Sequence, residues 1–197
     1  MLIVSPGCCG RNTSVLSSMR AYQDRFYYLL MDETDIVTGR HLKKIPKAVA
    51  EICEGLKKKP SVVMICITCV DALLGTDMER VCHKAEEYAG VPVRPCYMYA
   101  LTREGRKPPM VHVRQSVYSL LEPKKKKGNV VNLLGYFSPL TDDCELYDLL
   151  HGAGVKTIHE ISRCKDYAQY QTMSEANFNL VPVSYTHLRA HETCADL

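Results

Sequence analysis

The chain has 197 residues, of which 46% are hydrophobic and 24% charged, as is ordinary for a soluble globular protein. This length suffices for one large domain, or for one domain and part of a second. A net charge of +3 is too small to indicate a nucleic-acid partner, and no apolar run approaches the roughly 20 residues that cross a bilayer. The opening residues MLIVSPGCCG lack the basic and long apolar regions of a secretion signal. We therefore predict a cytoplasmic protein with no nucleic-acid or membrane partner.

Ten cysteines are many for a chain of this length. Because their spacings are irregular and no secretion signal accompanies them, we expect reduced thiols or metal ligands rather than disulfides. Most are expected to serve as small apolar side chains. Cys53, Cys82 and Cys144 lie in helical patterns, and Cys66 and Cys96 lie in strand patterns.

Strands and helices alternate from the start of the chain. LIVSP predicts a strand, and after a Gly-Cys-Cys-Gly turn a helix is predicted to begin at Asn12 or Thr13 and run to about Gln23. RFYYLL predicts a strand, and MDETDIVTG a loop. HLKKIPKAVAEICEGLKKK repeats apolar residues every three or four positions, which predicts an amphipathic helix closed by its lysine triplet. His41, at the start of this helix, is expected to be solvated.

The middle of the chain continues the alternation. The apolar run SVVMICI predicts a strand covered on both faces. Thr76 to Glu79 has the form of a capping box, which predicts a helix that ends near Tyr88 with Gly90 as its stop. VPVRPCYM predicts a strand at a sheet edge, because it contains two prolines, and MVHVRQSVYSLL predicts the next helix.

A sharp change of composition at EPKKKKGN predicts a domain boundary. Beyond it we predict strand NVVNLLGY, a helix over about 143–151, strand VKTIHEI, a short helix over about 165–175 and strand FNLVP. This rhythm predicts an α/β fold, with a Rossmann-like parallel sheet flanked by helices and the start of a second similar domain. The predicted boundaries are 1–123 for the first domain, 124–129 for a linker and 130–182 for the partial second domain.

The last residues, 183–197, show neither helical nor strand periodicity. The run VSYTHLRAHET resembles the translation of a transposase adapter used to prepare sequencing libraries. We interpret this tail as a read-through artefact and expect the natural protein to continue past Pro182. On this interpretation the spacing of His187 and His191 carries no information about metal binding.

Ligands of parallel α/β sheets bind at the carboxyl ends of the strands, and two of these segments contain cysteines. Cys8 and Cys9 follow the first strand, and Cys69 follows the strand SVVMICI. Two thiolates on glycine-containing turns suit an iron–sulfur cluster or a zinc ion. A buried structural role for Cys69 stays open as an alternative. A redox pair of Cys66 and Cys69 is disfavoured, because Cys66 lies inside an apolar run.

Several motifs spread over residues 1 to 182 share one resemblance: SPGCCG, FYYLLMDETDIVTG with the helix after it, TCVDALLGTDMERV, VPVRPCYM, NLLGYFSP and MSEANFNLVP. Together they resemble nitrogenase component 1 and its relatives. The most specific piece is the Thr68–Cys69 turn with Gly75 and Asp77. The family's form there is roughly T-C-x4-I/L-G-D-D, and this chain has Thr76 in place of the first Asp.

The resemblance implies a subunit of an oxidoreductase that holds an Fe–S cluster, 4Fe–4S or larger, shared with another subunit or a missing segment. The implied metal ligands are Cys9 and Cys69, with Cys8 as the alternative to Cys9. The other implied cofactor-binding residues are Gly10, Thr68 and Gly75. A third ligating cysteine normally precedes the first turn in this family, so we expect it upstream of Met1 or on a partner subunit.

The implied partners are a homologous or identical component-1 subunit and an ATP-dependent iron-protein reductase. The reductase would supply electrons for a distal reduction site, and the chain alone is expected to be an inactive amino-terminal fragment. Two other functions stay open: a non-catalytic scaffold for metal-cofactor assembly, and a CxxC thiol–disulfide protein. The substrate that is reduced is also left open.

Overall fold

The computed structural model describes residues 1–5, 14–15, 18, 23–97, 109–135 and 137–181. The chain divides into two compact units, Met1–Val117 and Tyr118–Leu197. Each unit contains a parallel β-sheet with helices between its strands, so the predicted α/β fold is confirmed. The division falls a few residues before the predicted linker, and residues 127–129 of that linker lie in a strand.

The first unit contains a sheet of four described strands, ordered β2-β1-β3-β4. The strands are β1 (Leu2–Ser5), β2 (Tyr27–Leu30), β3 (Val63–Ile67) and β4 (Val93–Tyr97). Every neighbouring pair is parallel. Pro95 has no N–H to donate, and its strand β4 lies at the edge of the described sheet, as the sequence predicts.

Five helices follow these strands in the described part of the chain. They are α1 (Glu33–Thr38), α2 (Arg40–Gly55), α3 (Cys69–Leu73), α4 (Met78–Ala89) and α5 (Pro109–Tyr118). The predicted helix after the first cysteine turn falls largely outside the described residues. The predicted closure of α2 by the lysine triplet is wrong, because the helix ends at Gly55, before the triplet.

The loop predicted at MDETDIVTG is also wrong, because these residues contain α1. The Asp32 carboxylate accepts a hydrogen bond from the backbone N–H of Asp35 at 2.7 Å, which caps the amino end of the helix. At the other end Gly39 adopts φ 64° and donates to the carbonyl of Ile36. Both end signals are present in the sequence, but six residues are too few for a clear helical repeat.

The start of α4 differs from the predicted capping box. The residue that caps the helix is Asp77, whose carboxylate accepts the backbone N–H of Arg80 at 3.1 Å. Thr76 instead donates its backbone N–H to the carbonyl of Asp71 at 3.0 Å. The predicted stop is confirmed, because Gly90 adopts φ 61° and donates to the carbonyl of Glu86.

The core of the first unit follows the two periodicities of its elements. Along β3, Val63 and Ile65 are buried in one cluster with α2 and α4, and Cys66 is buried in another with Cys96 and Val113 of α5. In α2 and α4, Cys53 and Cys82 belong to the first cluster, as small apolar side chains. Burial raises the pKa of Cys82 to about 12, so this thiol stays neutral at physiological pH.

The second unit contains three described parallel strands in the order β6-β5-β7. They are β5 (Lys127–Leu133), β6 (Thr157–Glu160) and β7 (Ala176–Leu180), and the helices between them are α6 (Glu145–Gly152) and α7 (Tyr167–Gln171). Cys144 is not a helical core residue as predicted: it precedes α6 and is only half-buried. None of the helices in the described ranges is long and apolar enough to cross a membrane.

We predict that Asp32→Ala destabilises the first unit by about 1 kcal/mol, because α1 loses the acceptor that caps its amino end. Chemical denaturation of the protein measures the change in the free energy of unfolding. Asp24→Ala is the matched control, because Asp24 is exposed and its 4.0 Å ion pair with Arg25 is solvated. Equal losses in both variants would contradict the capping role.

Candidate metal centre

The predicted site residue Cys69 lies at the carboxyl end of β3. The strand ends at Ile67, Thr68 keeps an extended backbone with φ −103° and ψ 176°, and Cys69 is the first residue of α3. Cys69 is half-buried, whereas Cys53, Cys66, Cys82 and Cys96 are buried. Among the described cysteines of the first unit, Cys69 is therefore the one whose thiol is open to an external group.

Thr68 carries a buried hydroxyl with no hydrogen-bond partner among the described residues. It occupies the capping position of α3, but its side chain makes no capping bond there. A buried hydroxyl without a partner is uncommon and calls for a physical explanation. Its proton is available to an acceptor placed next to Cys69, such as a sulfur of a bound cluster.

Gly75 closes the short helix α3. Its backbone has φ 63°, and its N–H donates to the carbonyl of Ala72 at 3.2 Å. The N–H of Thr76 reaches back to the carbonyl of Asp71, so the two bonds complete a Schellman motif. A side chain at position 75 would meet open space, so the backbone conformation is what favours glycine here.

His41 is buried rather than solvated, which corrects the prediction from the sequence. Its side chain is 1% exposed, and its Nε2 lies 3.3 Å from Oδ1 of Asp71, whose side chain is also 1% exposed. Its Nδ1 lies 3.0 Å from the carbonyl oxygen of Asp35. The sequence contained a signal for this burial, since His41 stands four residues before Ile45 and eight before Val49 on the buried stripe of α2.

Asp71 was not singled out from the sequence, yet it is the one buried residue of α3. Burial raises the pKa of its carboxyl above the usual range, and the nearby His41 opposes part of that rise. Neither carboxylate oxygen completes a hydrogen bond with a described residue. Buried polar atoms without partners therefore gather beside Cys69, on Thr68, Asp71 and His41.

Cys66, the other cysteine of the disfavoured redox pair, packs against Cys96 and not Cys69. It lies opposite Cys96 in the register of β3 and β4, and the two buried side chains belong to one cluster. Burial and this contact raise the pKa of Cys66. Within the described part of the chain this arrangement favours a structural role for Cys66 over a CxxC dithiol.

The remaining predicted site residues, Cys8, Cys9 and Gly10, lie outside the described residues. Among those described, no three histidine, cysteine or acidic side chains come together as a metal-binding group. Cys69 is thus the single predicted metal ligand that the structure describes. Thr68 is its immediate neighbour, and Gly75 lies at the far end of the same helix.

A groove of about 640 Å³ lies beside the turn from α3 to α4. Its lining combines exposed apolar side chains with cationic ones, among them Val37, Leu74, Lys43, Arg80 and Lys84. Val37 is 85% exposed and Leu74 is 51% exposed. This part of the surface offers apolar area and positive charge close to the helix that begins with Cys69.

The carboxyl end of β6 in the second unit contains a different kind of polar cluster. Glu160 is buried, but its carboxylate accepts hydrogen bonds from the N–H of Leu140 and from Arg163, each at 3.0 Å, and from the Tyr147 hydroxyl. Because every oxygen has a donor, this cluster is explained by stability alone. The polar atoms around Cys69 differ in having no such partners.

The chain is similar in sequence to known proteins of nitrogenase systems. The chain is 32% identical over 127 residues to the nitrogenase iron-molybdenum cofactor biosynthesis protein NifE of Rhizobium meliloti, a match that covers 63% of this chain and 26% of that protein. It is 42% identical over 65 residues to the nitrogenase molybdenum-iron protein alpha chain of Methanosarcina barkeri, covering 33% and 12% of the two chains. The chain thus spans well under half the length of these relatives.

The fold agrees with these relatives. A solved structure titled "Nitrogenase Cp1 at pH 6.5" superimposes with a TM-score of 0.62 at 21% identity, over 92% of this chain and 37% of that one. The family model described as nitrogenase component 1 type oxidoreductase matches residues 1–194. This range includes most of the tail, whose interpretation as an artefact stays a prediction. The chain therefore belongs to the nitrogenase component 1 type oxidoreductase family, as its motifs predict.

Proposed function

We propose that Cys69 is a ligand to an Fe–S cluster, in a component-1-type subunit that takes part in electron transfer from a reductase partner to a distal reduction site. One observation carries this proposal. Cys69 presents a half-buried thiol at the carboxyl end of a central strand, next to the unpartnered hydroxyl of Thr68. A purely structural cysteine needs neither access nor a free donor beside it.

The residues around Cys69 suit a cluster. A thiolate binds iron, and hydrogen bonds to the cluster sulfurs tune its potential, which gives the Thr68 hydroxyl a defined role. When bound, such a cluster supplies reversible one-electron transfer. The polypeptide's own contribution is to hold the Cys69 thiol at a fixed place and to offer the Thr68 proton beside it.

Cys9 is the proposed second ligand within the chain, with Cys8 as the alternative and Gly10 in the same turn. The support comes from the sheet, because β1 pairs in parallel with β3, with Leu2 opposite Ile65. Segments that follow two neighbouring parallel strands both begin at the carboxyl end of the sheet. The remaining ligands of a 4Fe–4S or larger cluster would come from a homologous subunit or from another part of the full-length protein.

The groove beside α3 supports a reductase partner that docks close to Cys69. Leu73 and Leu74 are 70% and 51% exposed, and apolar side chains at this exposure suit an interface. Arg80 and Lys84 line the same groove as Leu74, so the partner's matching surface is expected to be acidic. Docking here would bring an electron donor close to Cys69, the proposed ligand at the carboxyl end of β3.

A second candidate function is a scaffold on which a metal cofactor is assembled. The observation that favours it is the name shared by several relatives, the iron-molybdenum cofactor biosynthesis protein NifE. Both functions require a cluster ligand at Cys69, so the same site serves either one. They differ in whether electrons or the cofactor itself leave the protein.

We predict that Cys69→Ala abolishes the cluster of the full-length protein, because a thiolate ligand is lost. After anaerobic reconstitution, the wild-type protein should contain iron and sulfide in a stoichiometric ratio and show a broad visible charge-transfer band. Cys53→Ala is the control, because Cys53 is buried in the core of α2 and should leave both readings intact. Equal loss in the two variants would mean general unfolding and would defeat the assignment of Cys69.

The two roles predict different results when the full-length protein is mixed with an iron-protein reductase and ATP. Electron transfer predicts that the visible band bleaches and returns on reoxidation while the iron content stays constant. Assembly predicts that iron passes to an added cofactor-free component-1 protein and is lost from this one. We expect reversible bleaching with retained iron, and transfer of the iron would reject electron transfer in favour of assembly.

A further inference from the structure

The buried contact between His41 and Asp71 joins the element that carries Cys69 to its surroundings. His41 lies on α2 and Asp71 on α3, two residues after Cys69, and both side chains are 1% exposed. The far side of the imidazole lies 3.0 Å from the carbonyl oxygen of Asp35 in α1. The imidazole of His41, a residue of α2, therefore contacts both α1 and α3.

The two contacts of His41 restrict where its ring can carry hydrogen. A carbonyl oxygen can only accept, so Nδ1 of His41 carries the hydrogen that faces Asp35. Nε2 of His41 and Oδ1 of Asp71 are 3.3 Å apart and would repel each other if both presented lone pairs. A single proton between them removes this repulsion, whichever of the two groups carries it. The pair is thus a close, fully buried polar contact between α2 and α3, although its geometry falls short of a complete hydrogen bond.

The short helix α3 depends on this link for its position. It has five residues, far below the about 12 that make an isolated helix stable in water, so its stability must come from tertiary contacts. Asp71 is its one buried residue, and Leu73 is 70% exposed. An ordinary helix would be held by apolar side chains, but here the deepest contact is between polar groups.

Stability alone gives a weak reason for such a pair. Burying a carboxylate and an imidazole has a large desolvation cost, and apolar residues of similar volume often stabilise a core as well or better. A polar pair adds specificity, because an apolar side chain in place of either partner would leave the other polar group buried alone. That property matters where the residue two positions earlier must hold a metal.

We propose that His41 and Asp71 are positioning residues that hold α3 so that the Cys69 thiol keeps the place required of a cluster ligand. The inference rests on the proposed function of Cys69 for its purpose. The physical claim concerns the position of the thiol and can be measured without a cluster.

The first readout is the alkylation rate of Cys69 by iodoacetamide in the metal-free, full-length protein, followed by mass spectrometry. Cys144, half-buried in the second unit, serves as the internal reference. Asp71→Ala and His41→Ala should each change the rate ratio of Cys69 to Cys144 by about tenfold, because α3 loses its fixed position. The double variant should change it no more than either single variant, because both remove the same link.

Two further variants separate positioning from general stability. Asp71→Asn should keep the ratio near the wild-type value, because the amide N–H can donate to Nε2 of a neutral His41. Val49→Ala removes core volume from α2 eight residues beyond His41 and should lower stability without changing the ratio. An unchanged ratio in Asp71→Ala, or an equal change in Val49→Ala, would overturn the proposal.

The second readout is the iron bound after anaerobic reconstitution, and it distinguishes the two proposals from each other. If the wild type binds no iron while Asp71→Ala still alters the alkylation ratio, the positioning is upheld and the cluster at Cys69 is rejected. If Asp71→Ala keeps both the iron and the wild-type ratio, the positioning is overturned and the cluster stands. Joint loss of iron and change of ratio, with both restored in Asp71→Asn, is the expected result.

Discussion

The parallel pairing of β1 with β3 is the constraint on which the site depends. Leu2 lies opposite Ile65 and Ile3 opposite Cys66, so the two central strands run in the same direction with a fixed register. In a parallel sheet all strands end on the same side, so the cysteine-containing segments that follow β1 and β3 in the sequence both begin at the carboxyl end of the sheet. Buried side chains of α2 and α4 pack against β3 in one cluster. This packing fixes the position of the end of β3, which Thr68 and Cys69 follow.

At the carboxyl end of β3, buried polar groups that lack hydrogen-bond partners among the described residues lie on neighbouring residues. The buried carboxylate of Glu160 in the second unit has a donor for each oxygen, as stability requires. Beside Cys69, the Thr68 hydroxyl and the Asp71 oxygens are buried without completed hydrogen bonds among the described residues. Such unsatisfied groups cost free energy and tend to concentrate where a protein performs a function. They distinguish the end of β3 without reference to any relative.

Much of the fold could be predicted from the sequence, because strands and long helices repeat their apolar residues. The buried stripe of α2 is an example, and so is the stop of α4 at Gly90. The short helices α1 and α3 were missed, because five or six residues do not complete a repeat and their ends depend on single caps. Cys69 could be selected from its place after a strand, and the spacing of His41 to Ile45 and Val49 indicates its burial, but the contact of His41 with Asp71 could not be predicted. That contact joins residues 30 positions apart, where a histidine on an apolar stripe meets a carboxylate that has no sequence pattern of its own.

The role of Cys69 as a cluster ligand is tested most directly by locating iron in the intact protein. Crystals of the anaerobically purified, full-length protein, measured on both sides of the iron absorption edge, would give an anomalous difference map. If Cys69 is a cluster ligand, an iron peak will lie within bonding distance of its sulfur, about 2.3 Å for a metal–thiolate bond, with the Thr68 hydroxyl facing the cluster. A map with iron elsewhere and a free Cys69 thiol would show that Cys69 does not bind the cluster.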